Sequence, residues 1–240
     1  MHNKLGHIHS IETFSTADGP GIRFVAFLQG CNFRCQYCHN PDTWATTGGK
    51  EWSATDLLNK ALQYQSYYRA SSGGITASGG EPLLQPEFLA EFFRLAKAEG
   101  LHTCLDTAGD IARVSAGQLD AILANTDLVL YDVKEANEIR HKEIAGRSMA
   151  EPRQFLQTVQ AQGIPVRLRY VYIKGVNDSE DTLESLKKLP EQFSVVQAID
   201  VLPYHRLGEH KWKDLGLEYP LAGITPPSGE ETEMVRKWLS

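Results

Sequence analysis

The stretch Cys31-Asn32-Phe33-Arg34-Cys35-Gln36-Tyr37-Cys38 places three cysteines in one predicted loop, directly after the apolar run Ile22–Leu28. Thiolates at these spacings can bind one iron–sulfur cluster, yet the loop contains only three of them. A closed four-iron cluster takes four cysteine ligands, so three ligands leave one iron open to a small molecule. The stretch therefore predicts a cluster that takes part in chemistry rather than one that only carries electrons.

A structural zinc site is the alternative interpretation of the same cysteines. Zinc in a closed structural site takes four nitrogen or sulfur ligands. The fourth cysteine, Cys104, stands far along the chain in a predicted strand, so His7, His9 or His39 would have to complete the set. The spacing favours the cluster, and zinc stays open at this point.

The composition is that of a globular chain of one domain. Of 240 residues, 42% are apolar and 22% charged, and the net charge of −6 argues against sequence-independent nucleic-acid binding. No apolar run approaches the roughly 18 residues of a membrane helix. Because Met1–Ser10 is polar and has no apolar core segment, we expect no secretory signal. Four cysteines make no disulfide framework, so we expect a reducing, cytoplasmic setting. Residues 1–240 are predicted as a single domain, with an N-terminal extension over about 1–20 and a C-terminal tail over about 206–240.

Strand-like apolar runs alternate with amphipathic helices along the chain. The six predicted strands are Ile22–Leu28, Gly74–Ala77, Thr103–Asp106, Leu128–Val133, Val166–Ile173 and Ala198–Leu202. Helices are predicted from Ser53 to about Tyr68, around Phe88–Ala96 with Gly100 as the stop, and near Ser115–Ala124, Pro152–Gln162, Ser179–Lys188 and Gly229–Leu239. This alternation predicts an α/β fold with a parallel sheet, either doubly wound or an incomplete barrel.

Polar and glycine residues cluster where the predicted strands end. In parallel α/β folds the carboxyl ends of the strands carry the ligand site. The residues at those ends are the cysteine loop, Gly79-Gly80-Glu81-Pro82, Asp106-Thr107, Asp132 with Lys134, and Pro203-Tyr204-His205. The sequence therefore predicts one functional site at this edge of the sheet.

Taken together, the motifs resemble those of the glycyl-radical-enzyme activases of the radical S-adenosylmethionine (SAM) superfamily. The resemblance runs from about Gly6 to Trp238. Its most specific stretches are His9–Cys31, Cys35–Trp44, Gly73–Gln85, His102–Gly109, Asp127–Lys134 and Leu202–Trp212. It implies a partial (β/α)6 barrel of the radical SAM type with a parallel sheet, one [4Fe–4S] cluster and SAM as cofactors.

The resemblance also implies a reaction and its partners. SAM would be cleaved reductively to methionine and a 5′-deoxyadenosyl radical, which takes a Cα hydrogen from a glycine of a partner enzyme. Pyruvate formate-lyase is the expected partner, because the chain has no cysteines for the ferredoxin-like insert of several other activases. A flavodoxin or ferredoxin is the expected electron donor, and a monomer is expected. Activation of another glycyl-radical enzyme, and a non-catalytic metal-stabilised interaction module, are the alternatives.

The resemblance assigns SAM and cluster roles to particular residues. Cys31, Cys35 and Cys38 would ligate the cluster. The SAM-contacting residues would be Tyr37, Cys38, His39, Gly79, Gly80, Glu81, Asp132, Val133, Lys134, Arg169, Val171 and His205. From the residues alone, His39 can also be a loop histidine bonded to its own backbone. Glu81 can equally be a carboxylate at a helix start, where the helix dipole favours it.

A monovalent cation and the partner's glycine loop complete the implied site. Sodium or potassium would bind Asp106, Thr107, Asp132 and the carbonyl of Leu130. An ion pair of the aspartates with Lys134 or an arginine is the alternative, and Arg169 can equally serve only to pair with an acidic neighbour. Asp18 would hold the glycine loop, although Asp-Gly and Pro-Gly are also strong turn formers. Cys104 is interpreted as a small buried strand residue.

Overall fold

The computed structural model describes residues 4–240, so residues 1–3 of the predicted extension lie outside the described part of the chain. The strands are β1 Leu5–Ser15, β2 Arg23–Leu28, β3 Lys50–Ser53, β4 Gly74–Gly79, β5 His102–Thr107, β6 Leu128–Asp132, β7 Val166–Tyr172 and β8 Val196–Pro203. The helices are α1 Ala54–Leu62, α2 Gln65–Ala70, α3 Pro86–Ala98, α4 Ala116–Leu123, α5 Glu138–Ala145, α6 Ala150–Ala161, α7 Glu180–Lys187, α8 Leu189–Gln192, α9 Glu209–Asp214 and α10 Gly229–Leu239.

All the strands belong to one sheet, in the order β3-β1-β2-β4-β5-β6-β7-β8. From β2 to β8 the neighbouring strands are parallel, whereas β1 pairs antiparallel with both β2 and β3. The two edge strands, β3 and β8, do not pair with each other, so the sheet stays open. This confirms the predicted α/β class with its parallel sheet.

The parallel strands curve around a single cavity. Each of them contributes at least one side chain to its lining: Phe27, Ser78, Asp106, Asp132, Arg169 and Leu202 come from β2, β4, β5, β6, β7 and β8 in turn. A flat doubly wound sheet could not present all of these strands to one space. The incomplete barrel is therefore the correct member of the predicted pair.

The six predicted strands are all present with ends shifted by at most two residues, but β1 and β3 were not predicted. In β1 the residues alternate between buried, half-buried and exposed, and Ile8 is among the few that are fully buried. Such a half-exposed strand lacks the continuous apolar run by which buried parallel strands are recognised. The predicted first helix is also divided, because Tyr68 lies on the separate helix α2.

Helix α3 shows how the sequence pattern positions the outer layer. Its buried residues are Phe88, Leu89, Phe92, Phe93 and Ala96, which form the predicted apolar stripe, and the helix ends before Gly100. This face joins the main hydrophobic core between the sheet and the helices. No helix among residues 4–240 combines the length and the apolar character needed to cross a bilayer.

Phe92→Ala should lower the free energy of unfolding by about 3–5 kcal/mol, because it removes a fully buried ring from the contact between α3 and the sheet. Urea unfolding followed by circular dichroism measures the change. Met234→Ala, on the exposed face of α10, is the control and should stay within about 0.5 kcal/mol of wild type. Equal losses in the two variants would contradict the core assignment.

Candidate active site at the carboxyl ends of the strands

A cavity of about 420 Å³ opens at the carboxyl ends of the parallel strands. The predicted residues that line it are Asp18, Cys31, Cys35, Tyr37, Cys38, His39, Gly79, Gly80, Asp106, Thr107, Asp132, Lys134, Arg169, Val171 and His205. Three predicted residues do not line it. Glu81 is buried beneath it, Val133 packs into the main core, and the Leu130 side chain packs with Cys104 and Leu128.

The cysteine loop is held in place by helix α5. The backbone N–H groups of Arg34 and Gln36 donate to the carbonyls of Ala145 and Ile144, each at 2.9 Å. Asn137 caps the start of α5, accepting hydrogen bonds from Ile139 and Arg140 N–H. Charged residues interrupt the apolar pattern of this helix, so neither the helix nor its support of the loop was predicted from the sequence.

The three loop thiols have no disulfide partner and are largely withdrawn from solvent. Burial raises the pKa of the Cys31 thiol far above its ordinary value and that of Cys35 to about 12, although Lys134 acts against the shift at Cys35. Thiolates buried in this way require a strong positive charge beside them, which bound iron supplies. The site therefore suits thiolate ligation of a metal centre.

The donor geometry bears on the choice between a cluster and a single zinc ion. Among residues 4–240, no three side chains of His, Cys, Asp or Glu converge closely enough to bind one metal ion. In a [4Fe–4S] cluster each cysteine binds a different iron, so its ligands need not meet at one point. The three thiols Cys31, Cys35 and Cys38 in one loop are therefore compatible with ligation of a cluster.

Gly79 at the end of β4 and Gly80 directly after it allow this segment to approach the cysteine loop. The N–H of Gly80 donates to Leu28 O at 2.9 Å, and the N–H of Glu81 donates to Gly30 O at 2.7 Å. A Cβ atom on Gly80 would lie 2.2 Å from Gly30 O and 3.3 Å from Cys31 Cβ. Glycine is needed here because the neighbouring backbone, rather than a ligand alone, occupies the space of a side chain.

The Glu81 carboxylate is fully buried and is bonded within the protein. Its Oε1 accepts from the Thr107 hydroxyl at 2.6 Å and from Leu83 N–H at 3.1 Å, and its Oε2 accepts from Ala108 N–H at 3.0 Å. Burial raises the pKa of Glu81 to about 7, although these three hydrogen bonds oppose the shift. Glu81 also caps the short 3-10 turn Pro82–Leu84.

Arg169 stands among three carboxylates inside the cavity. Its Nη1 lies 3.2 Å from Asp106 Oδ2 and 3.8 Å from Asp18 Oδ1, and its Nε lies 3.9 Å from Asp132 Oδ1. Lys134 Nζ donates to Asp132 Oδ2 at 2.7 Å. The ion pairs considered in the sequence analysis are therefore present.

One oxygen of this charged group is left without a partner. Ser78 Oγ donates to Asp106 Oδ2 at 2.6 Å, but the buried Asp106 Oδ1 has no hydrogen-bond donor within residues 4–240. Burial raises the pKa of Asp106, with Arg169 opposing the shift. Burial would also raise the pKa of Asp132, but Lys134 and Arg169 outweigh it and hold that pKa below its ordinary value. An unpartnered buried carboxylate oxygen is a suitable ligand for a hard cation.

Two histidines stack on each other, one from the loop after β2 and one from the segment after β8, the two outermost parallel strands. The rings of His39 and His205 lie 4.1 Å apart at an interplanar angle of 22°, and His39 Nε2 lies 3.1 Å from the carbonyl oxygen of His205. Burial lowers the pKa of His39, which favours its neutral form. The alternative interpretation was that His39 bonds to its own backbone. Its ring instead bonds to the segment after β8.

Trp212 is a further contact of the cysteine loop that carried no clear signal in the sequence. Its indole Nε1 donates to Cys38 O at 2.8 Å, and its ring meets the ring of Trp44 edge to face at 5.0 Å. Lys211 beside it donates to Asn40 Oδ1 at 2.9 Å. The sequence pattern could not distinguish this role of α9 from ordinary packing, because the contact joins distant parts of the chain.

An open parallel sheet that curves around a cavity, with three free thiols in the loop after its first parallel strand, is the arrangement of radical SAM enzymes. The family described as "Radical SAM superfamily" matches residues 25–189 of the chain. Membership of this superfamily implies a [4Fe–4S] cluster and SAM.

Curated relatives narrow the class. "Pyruvate formate-lyase 1-activating enzyme" of Escherichia coli (strain K12) is 44% identical over 232 residues, covering 97% of this chain and 94% of that protein. "Pyruvate formate-lyase-activating enzyme" of Listeria monocytogenes serovar 1/2a is 43% identical over 242 residues, covering 100% and 98%. The crystal structure of a domain of pyruvate-formate lyase-activating enzyme from Bacteroides vulgatus superposes with a TM-score of 0.53 at 26% identity, covering 70% of this chain and 92% of that one. The chain thus belongs to the radical SAM superfamily and, within it, to the family of pyruvate formate-lyase-activating enzymes.

The raised pKa of Glu81 predicts a pH dependence of stability. The Glu81 carboxyl group binds its proton more tightly in the folded protein than in the unfolded chain. Below about pH 4.5 it therefore does not destabilise the fold, whereas the free energy of unfolding falls as the pH rises from there to about 7. Relative to Glu81→Gln, the wild type should lose about 3 kcal/mol of unfolding free energy across this window. Urea unfolding of both proteins at several pH values without SAM tests this. A difference between them that stays constant with pH would contradict the assignment.

Proposed function

We propose that this protein is a radical SAM activase that generates the glycyl radical of pyruvate formate-lyase. The observation that carries the proposal is that one cavity brings together the three loop thiols, the charged group around Arg169, and Asp18 from the turn before β2. The names of the full-length relatives support the same activity. Activity of this kind requires that a SAM site and an opening for a glycine loop share one space.

We assign the cluster to Cys31, Cys35 and Cys38. When bound, a reduced cluster of this type supplies the electron that cleaves SAM to methionine and a 5′-deoxyadenosyl radical, which removes a hydrogen atom from the glycine Cα. The protein's own part is to hold three thiolates away from water. Trp212 and the end of α5 fix the loop through hydrogen bonds to its main chain.

The SAM-binding residues are proposed from their positions around the cavity. Lys134 and His205 would contact the ribose or carboxylate of SAM, and Tyr37 with His39 would lie near the adenine. Lys134 Nζ is 5.8 Å from the centroid of the Tyr37 ring, so the cationic and aromatic contacts can serve one ligand. Gly79, Gly80 and Glu81 would bind the amino group of SAM. The remaining proposed SAM-binding residues are Asp132, Val133, Arg169 and Val171. Glu81 and Val133 do not line the cavity, so they would act on SAM through the residues that do.

A sodium or potassium ion is proposed beside Asp106 and Asp132. The unpartnered Asp106 Oδ1 supports it, because a buried anionic oxygen without a donor is costly unless a cation compensates it. Thr107 and the main-chain oxygen of Leu130 would be further ligands, both of the hard oxygen type that such ions prefer. The Leu130 side chain plays no part in this ligation.

The remaining partners follow from the reaction. The glycine loop of pyruvate formate-lyase would be held by Asp18. A flavodoxin or ferredoxin would supply the electron, a monomer would suffice because one chain lines the whole cavity, and the anaerobic cytoplasm is the setting that the accessible cluster requires.

Cys35→Ser should abolish glycyl-radical formation, because it removes one of three cluster ligands. The measurement is anaerobic electron paramagnetic resonance of reconstituted protein with SAM, a reductant and pyruvate formate-lyase, together with 5′-deoxyadenosine analysis. Wild type should give a glycine-centred doublet. Cys104→Ser is the matched control, since Cys104 is buried on β5 outside the loop, and it should retain the doublet. Radical formation by Cys35→Ser, or none by wild type with an intact cluster, would contradict the proposal.

Asp132→Ala should weaken SAM binding by about tenfold or more, because it leaves the nearly buried Lys134 without its carboxylate and removes a proposed cation ligand. Equilibrium binding of SAM to the cluster-loaded protein measures the effect. Asp200→Ala is the control, since Asp200 pairs with Arg167 at 2.5 Å and does not line the SAM cavity. Equal affinities of Asp132→Ala and wild type would count against this assignment.

A further inference from the structure

Arg23, the first residue of β2, carries a guanidinium group that is fully withdrawn from solvent. Among residues 4–240 no carboxylate lies within 4.0 Å of it. Its Nε donates to Thr76 Oγ1 at 2.6 Å, its Nη1 to Pro20 O at 3.1 Å, and its Nη2 to the carbonyls of Ile75 and His102. Its Nη2 also lies 3.3 Å from the ring Nδ1 of His102. A buried charge whose partners are neutral oxygen and nitrogen atoms, with no carboxylate among them, is costly, and an apolar side chain would fill the space at lower cost.

Two of the hydrogen bonds of Arg23 link it to the turn that carries Asp18. Thr76 Oγ1, which accepts from Arg23, donates to the carbonyl of Asp18 at 2.7 Å. Pro20, two residues further on, gives its carbonyl to Arg23 directly. Gly19 between them has a φ of +124°, and a Cβ atom there would lie 2.9 Å from Arg23 Cδ. The main chain of the turn therefore wraps around the arginine.

The side chain of Asp18 is held separately from its main chain. The hydroxyl of Ser15 donates to Asp18 Oδ2, while Oδ1 faces Arg169 Nη1 at 3.8 Å, which is beyond a hydrogen bond. Asp18 lines the same cavity as the cysteine loop. A carboxylate has lone pairs for about four donors, so Asp18 retains acceptor capacity toward the cavity. Main-chain N–H groups of an incoming loop are donors of the matching kind.

We propose that Arg23 and Thr76 are positioning residues for the partner's glycine loop. They fix the main chain of the Asp18 turn, so that its carboxylate stands ready to accept hydrogen bonds from the backbone of that loop. This inference rests on the proposed function. It assigns the buried pair a role in recognition of the protein substrate and none in SAM cleavage.

The test uses cluster-loaded protein and a synthetic peptide with the glycine-loop sequence of pyruvate formate-lyase. Thr76→Val keeps the shape of the side chain and loses both of its hydrogen bonds. It should raise the KM for the peptide about threefold to tenfold, the factor for one ordinary hydrogen bond, while kcat stays within about twofold. Binding of a fluorescently labelled peptide, followed by anisotropy, should weaken by the same factor.

A buried threonine on the neighbouring strand gives a matched control. Thr103 on β5 is equally buried, and its hydroxyl donates to the carbonyl of Asn125, which is remote from the Asp18 turn. Thr103→Val should leave the KM for the peptide unchanged. Arg23→Lys keeps the charge but loses the planar fork of donors, so it should raise the KM further than Thr76→Val. Circular dichroism checks that each variant is folded. If Arg23→Lys does not fold, the result for Thr76→Val alone decides the test.

The outcomes separate this inference from the proposed function. An unchanged KM and peptide affinity in Thr76→Val, an equal effect in Thr103→Val, or a fall in kcat alone would overturn the positioning role. If the wild type binds the peptide but forms no glycyl radical, the activase function is contradicted. In that case a selective loss of peptide affinity in Thr76→Val would still support the positioning role. Wild type that fails to bind the peptide overturns both.

Discussion

The interior of the partial barrel depends on the compensation of negative charge by Arg169. Asp18, Asp106 and Asp132 come from a turn and two strands, and their carboxylates would repel one another inside the cavity. Arg169, on β7, lies within 4 Å of all three, and Lys134 bonds the third. This arrangement lets three acidic side chains face one cavity. It also connects the turn that we assign to the partner's loop with the carboxylates that we assign to the SAM and cation sites.

The cysteine loop illustrates a second constraint. Its thiols ionise as metal ligands only if neighbouring elements hold the loop in place and a positive charge lies beside them. The support for the loop comes from two places far apart in the sequence, the end of α5 and Trp212 of α9. The charge must come from the metal centre, because burial by itself opposes ionisation of Cys31 and Cys35. The loop and its surroundings thus form a stable scaffold whose chemistry is completed only by the cluster.

The parallel strands and the placement of the site could be predicted from the sequence, because buried strands are continuous apolar runs and their ends carry the polar residues. The curvature of the sheet did not follow from periodicity, which is the same in flat and barrel sheets; only the family resemblance predicted it. Val133 and Leu130 show a finer limit. Val133 neighbours Asp132 along the chain and so points to the opposite face, whereas Leu130 shares the face of Asp132 but lies deeper. Helix α5 escaped prediction because Glu138, Arg140, Lys142 and Glu143 interrupt its apolar pattern.

The hydrogen bond from Trp212 to the carbonyl of Cys38 spans 174 residues of chain. During synthesis the cysteine loop leaves the ribosome long before the helix that covers it exists. The complete enclosure of the loop can therefore form only after the chain has been synthesised as far as α9.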